Sequence, residues 1–155
     1  MKLRLKDISL ELKVEERFIQ ELTKVGKAHY PNEFGGFLIG YYSDDKKILT
    51  ITDTILPNTY KSTPSLFERD TIGVKQSFEN FYEENPKKYY VGEWHTHPNN
   101  IAKPSRMDIN ALYSIRNDKN VAILNPVLLI IGYNNTDVEI GFYVLIKDKV
   151  YRYEN

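Results

Sequence analysis

The 155 residues suffice for one compact domain, because single cores commonly close at roughly 100 to 200 residues. Lys and Arg total 21 and Asp and Glu total 21, so the formal charge is zero and no field steers the chain toward nucleic acid or anionic lipid. No cysteine is present, which excludes disulfides, thiolate metal sites and cysteine nucleophiles; with no run of about 18 apolar residues and no apolar signal core in the opening MKLRLKDISLELK, the expectation is a soluble, cytoplasmic protein without membrane or nucleic-acid partners.

In chain order, Ile8, Leu10 and Leu12 alternate with polar neighbours and predict a half-buried strand. Phe18, Leu22, Val25 and His29 recur at helical spacing and predict a helix ended by Pro31. After Gly35 and Gly36 the run FLIGYY predicts a buried strand, which SDDKK turns into ILTITDTIL, an antiparallel hairpin bounded by Pro57 and Asn58. From about Asp70 to Glu84, Ile72, Val74, Phe78, Phe81 and Tyr82 fall mostly along one stripe, which predicts a second helix closed by Asn85 and Pro86. KKYYVGEWHTH predicts a strand, PNNIAKP a loop, and Ser105 to about Asn117 a third helix. VLLIIGY, a YNNTD turn, VEIGFYVLI and a KDK turn close the chain. The fold class is α/β (α+β), one domain over 1–155, with no linker or repeat. The 12 Tyr and 7 Phe suit either a half-open sheet or a protein-binding surface.

Two of the three histidines form His95-Thr96-His97 at the end of a predicted strand. Residues i and i+2 of a strand share a face, so both imidazoles converge on one point. Ser105 follows His97 by eight residues, and Asp108 lies three further on, in the first turn of the next predicted helix, where the intervening loop brings its carboxylate back over the strand end. Two imidazoles and a carboxylate suit zinc, and three protein ligands leave a fourth tetrahedral position open, as in catalytic rather than structural sites. Each signal also has a plainer reading. A lone His-x-His is often a pair of satisfied polar residues, and Ser105-x-x-Asp108 by itself is a helix capping box.

HTHPNNIAKPSRMD resembles the JAMM motif of the MPN/JAB metalloprotease superfamily: His-x-His, seven residues, Ser, two residues, Asp, with every position filled. NEFGGFLIGY resembles the family's upstream glutamate element, with Glu33 in the catalytic place. The resemblance covers nearly the whole chain. It implies the MPN, cytidine-deaminase-like fold, a curved mixed sheet flanked by helices. It also implies a zinc isopeptidase in which His95, His97 and Asp108 hold Zn2+, Glu33 is the general base and Ser105 donates to the oxyanion. The implied substrate is a ubiquitin-like protein or its conjugate, cleaved after the C-terminal tail. The phrase GEWHTHP looks most like prokaryotic JAB proteins that act beside anti-phage cyclic-oligonucleotide signalling enzymes. A scaffold that binds partners without catalysis, or a JAB peptidase acting on a sulfur-carrier protein or another peptide, are the competing functions.

Glu93 shares the face of His95 and His97 by strand parity, so it is a candidate carboxylate of the second shell around the metal, or a rival base. A plain solvated strand charge is the alternative. His29 reads as a helix C-terminal cation or a partly packed residue, and Trp94, opposite the histidines, reads as core.

Overall fold

The computed structural model describes residues 1–155. Ten strands and three helices are formed: β1 (Lys2–Arg4), β2 (Glu11–Val14), α1 (Glu16–Lys27), β3 (Gly35–Tyr42), β4 (Ile48–Ile55), β5 (Tyr60–Thr63), β6 (Leu66–Arg69), α2 (Lys75–Tyr82), β7 (Tyr89–Pro98), α3 (Arg106–Asn117), β8 (Val127–Tyr133), β9 (Val138–Ile146) and β10 (Lys149–Arg152). Eight strands make one mixed sheet in the order β1-β2-β4-β3-β7-β8-β9-β10, and β5 and β6 form a separate two-stranded hairpin. Arg4 and Glu154 exchange two backbone hydrogen bonds of 2.7 and 2.9 Å, so the sheet curls until its two edges meet. No helix is long and apolar enough to cross a membrane.

Strand alternation sorts the core. Leu129 and Ile131 of β8 and Trp94 of β7 point into the larger cluster, which α1 covers with Ile19 and Leu22. Leu128 and Ile130 point the other way and meet Leu112 of α3. On that second face Phe37 and Ile39 of β3 also pack against Val74 and Phe78, the latter on α2. Trp94 is fully buried and donates its indole N–H to Thr54 Oγ1 at 2.9 Å, which satisfies the one polar atom the core encloses with it. The histidines therefore sit on the face shared with α2 and α3.

The curved mixed sheet flanked by helices is the architecture that the resemblance implied, while three local expectations shift and some short strands were not foreseen. Strand β2 begins at Glu11, and Ile8 and Leu10 precede it while still packing on the core. Helix α1 ends at Lys27, before His29 and Tyr30. Helix α2 begins at Lys75 rather than Asp70. Asp70 Oδ1 accepts the Ile72 N–H at 2.8 Å and Gly73 has a φ of 79°, so these residues form a turn and Ile72 is 65% exposed. The β5–β6 hairpin and the edge strands β1 and β10 are short and carry little apolar alternation, so they are found only through their partners.

Candidate metal centre

Strand β7 carries the histidines between two neighbours. It pairs antiparallel with β3, with Gly35 opposite His95, and parallel with β8, with His95 opposite Ile130 and His97 opposite Gly132. Beyond the named strand, Phe34 N–H donates to Thr96 Oγ1 at 3.0 Å and Thr96 N–H to the Phe34 carbonyl at 2.8 Å. Continuing this register places Glu33 across from His97. Gly35 is required by proximity: a β-carbon there lies 1.9 Å from the Trp94 carbonyl oxygen and 2.8 Å from His95 Cα. The small residue after Phe34 thus lets the glutamate strand lie flat against the histidine strand.

The return of Asp108 is equally constrained. After β7, the loop at Asn100–Ala102 seats on Gly132, where a β-carbon lies within 2.6 Å of loop backbone. Ala102 N–H donates to Glu139 Oε2 at 3.0 Å, and Tyr143 O–H donates to the Ala102 carbonyl at 2.5 Å. Ser105 then caps α3: its Oγ accepts Asp108 N–H at 3.1 Å, while Asp108 Oδ2 accepts Ser105 N–H at 2.7 Å. The capping box fixes the carboxylate rather than competing with it. The capping box is formed, and the same geometry leaves the Asp108 carboxylate beside both histidines.

Nε2 of His95 lies 3.1 Å from Nε2 of His97 and 3.1 Å from Asp108 Oδ1, and His97 Nε2 lies 3.3 Å from Asp108 Oδ2. Nδ1 of His97 faces the Ile101 carbonyl at 3.0 Å and therefore carries a hydrogen, which leaves Nε2 as a lone pair in the neutral ring. A proton or a cation among these atoms satisfies the carboxylate and the ring nitrogens. Donors around a tetrahedral zinc lie roughly 3.3 Å apart, given bonds of about 2.0 to 2.2 Å, so the set fits such an ion.

Glu33 is 7% exposed, with Oε1 3.9 Å from His97 Nε2. Burial raises its pKa above the ordinary carboxylate value, against the attraction of His95 and His97. For Asp108 burial also acts upward, but hydrogen bonds from His95 and His97 outweigh it and hold the carboxyl well below the usual range. Burial pulls His97 down, and the hydrogen bonds to Asp108 and the Ile101 carbonyl more than reverse this, so its pKa is raised.

The structure brings Glu33, His95, His97, Ser105 and Asp108 together around one cleft. Glu93 lines the same cleft, yet its Oε1 accepts the Tyr90 hydroxyl at 2.7 Å and pairs with Arg69, with no hydrogen bond to either histidine. His29 stands apart: it stacks on Phe34 with ring centroids 3.6 Å apart. The supports supplied by Ile101, Glu139, Tyr143 and the β5–β6 hairpin were not visible in the sequence.

A profile of the family described as prokaryotic homologs of the JAB domain matches residues 15–143. A protein named CD-NTase/cGAS isopeptidase from Enterobacter hormaechei subsp. hoffmannii is 33% identical over 118 residues, covering 76% of this chain and 62% of that protein. The chain thus spans less than two thirds of this relative's length. A probable metalloprotease of Sinorhizobium fredii is 26% identical over 121 residues, covering 76% of this chain and 73% of that protein. The solution structure of protein DSY2949 from Desulfitobacterium hafniense shares the fold with a TM-score of 0.70 at 19% identity, over 92% of this chain and 90% of that one. With the family profile spanning most of its length, the chain belongs to the prokaryotic JAB domain family.

Proposed function

We propose that this chain is a zinc-dependent peptidase of the isopeptidase kind, cleaving after the C-terminal tail of a ubiquitin-like protein. The observation that carries the reading is the donor triangle of His95, His97 and Asp108 with the buried carboxylate of Glu33 beside it at the end of a cleft. The cleft encloses about 140 Å³ between Leu66 and Phe67 of β6 and Met107 and Ala111 of α3. Drug-sized pockets are roughly 300 to 1,000 Å³, so a thin extended chain suits this one better than a compact small molecule.

His95, His97 and Asp108 would hold a zinc ion, which would supply Lewis acidity toward a water and a carbonyl. Glu33, raised by burial and within reach of that position, takes the proton of the attacking water and passes it to the leaving amine. Ser105 Oγ accepts one backbone N–H, and its own hydrogen stays free to donate to the oxyanion of the tetrahedral intermediate. Asp108 stays ionised and Ile101 fixes the tautomer of His97, so neither competes for the transferred proton.

The Enterobacter relative's name supports extending the reading to the conjugate: a CD-NTase is the protein we propose to be released, and a role in anti-phage defence is part of the same proposal. The test is incubation of the zinc-loaded protein with ubiquitin-like proteins of the same genome, each fused to a C-terminal extension, followed by intact mass. Cleavage directly after the tail is the expected result. Intact fusions throughout, or cuts elsewhere, reject the substrate class.

A further inference from the structure

We propose that Arg69 and Glu93 are positioning residues that act through the β5–β6 hairpin to hold Glu33 at the metal centre. The inference rests on the reading of Glu33 as the base.

The backbone of Glu33 lies just outside the β3 ladder, and the hairpin holds it there. Glu33 N–H donates to the Thr63 carbonyl at 2.9 Å, and Ser62 Oγ donates to the Glu33 carbonyl. The hairpin itself belongs to no larger sheet, and an isolated two-stranded hairpin is marginal in water. It is therefore held by its side chains. Phe67 packs edge-on against Phe34 with centroids 5.6 Å apart. At the other end of β6, Arg69 pairs with Glu93 of β7 and lies 5.3 Å over the Phe37 ring, while Tyr90 O–H donates to the same Glu93 oxygen at 2.7 Å.

The two side chains of the pair are 30% and 17% exposed, so removing one leaves the other half-buried and uncompensated. The pair is also the one charged connection between the hairpin and the histidine strand. Two contacts thus bracket β5–β6, aromatic near Glu33 and ionic near Glu93, and the chain at Glu33 inherits its position from both. Strand parity brings Glu93 to the catalytic face, and Arg69 turns its carboxylate to the hairpin.

The experiment compares Arg69→Met, Arg69→Lys and Glu33→Gln, alone and combined, as zinc-loaded protein acting on the ubiquitin-like fusion that the parent cleaves. Amide exchange over residues 60–69 is read in parallel and needs no substrate. Arg69→Met should exchange faster in the hairpin but not in β7 and β8, keep its zinc, and lose about ten- to a hundred-fold in kcat, the scale of a misplaced catalytic group. Arg69→Lys should recover most of the rate. In the Glu33→Gln background Arg69→Met should cost no further kcat, because the group it positions is already gone, whereas a general loss of structure lowers both backgrounds equally. Unchanged exchange at 60–69, unchanged kcat, or an equal loss in both backgrounds overturns the proposal. If Glu33→Gln itself turns over at the parental rate, the base assignment fails first, and the exchange data separate that failure from a failure of the latch.

Discussion

Glu33 and His97 face each other across the β3–β7 register, with 3.9 Å between Glu33 Oε1 and His97 Nε2. That distance is too long for a hydrogen bond and short enough for one small molecule to touch both the carboxylate and an ion at Nε2. The Phe34–Thr96 pair, the missing side chain of Gly35 and the hairpin's hydrogen bonds to Glu33 together bring the Glu33 backbone beside the histidine strand. The proposed base is thus positioned by backbone hydrogen bonding on both sides of it.

Glu33→Gln should retain stoichiometric zinc and lose roughly a hundred- to ten-thousand-fold in turnover, the usual effect of removing a general base. Glu93→Gln keeps the shape but weakens the grip on Arg69, so its loss should be smaller. Metal analysis and kinetics on the two purified variants check this. Parental turnover in the Glu33 variant beside a zinc-loaded, inactive Glu93 variant would transfer the base assignment to Glu93.

Zinc affinity should fall on acidification, beginning above pH 6.5. In the metal-free protein the pKa of His97 is raised by Asp108 and the Ile101 carbonyl against the opposing effect of burial, and its proton must leave before Nε2 accepts a metal. Below that raised value each pH unit should cost about tenfold in affinity through this one proton, while Asp108, held well below the usual range, stays ionised. The sign for stability is opposite. A raised pKa stabilises the metal-free fold fully below the unfolded value of about 6.5, and this is lost as pH rises through the folded value. The gap in Tm between zinc-loaded and metal-free protein should therefore widen from pH 6 to pH 8. Chelator competition and thermal melts across that range measure both, and pH-independent affinity would refute the argument.

The sequence made the ligands legible because their geometry is local: His95 and His97 share a strand face, and Ser105 and Asp108 share a helix start. Glu33 was legible only through resemblance, since its nearness to His97 depends on a strand pairing between residues 62 apart, Phe34 and Thr96. Parity correctly put Glu93 on the face of the histidines, yet nothing near it in the chain announced Arg69, which arrives from a hairpin with no apolar alternation to betray it. Composition favoured a half-open sheet or a binding surface for the tyrosines. One of them, Tyr143, instead ties down the metal loop.

Tyr143→Phe should therefore destabilise the protein by about 1 to 3 kcal/mol, because the Ala102 carbonyl is left buried without its donor. The same loop delivers Asp108, so zinc affinity should drop by about tenfold, in the range found when outer supports of metal ligands are removed. Denaturant melts of the metal-free protein and zinc titration separate the two effects. Parental zinc affinity in a destabilised variant would show that Asp108 is held by its helix cap alone.

Ser105 joins two functions that substitutions can pull apart. As the cap of α3 it accepts Asp108 N–H, and in the proposed mechanism its hydroxyl hydrogen is offered to the oxyanion. Ser105→Ala removes both: it should cost about 1 kcal/mol of stability and about a hundred-fold or more in kcat. Glycine is a tolerable cap that costs only about a few tenths of a kcal/mol, and it too has no hydroxyl. Ser105→Gly should accordingly melt close to the parent while losing as much kcat as the alanine variant. The Ser105 backbone N–H that holds Asp108 Oδ2 survives in both, so zinc content should stay near stoichiometric. If rate follows stability, with the glycine variant active and the alanine variant impaired, Ser105 serves the helix and the oxyanion is stabilised by another donor.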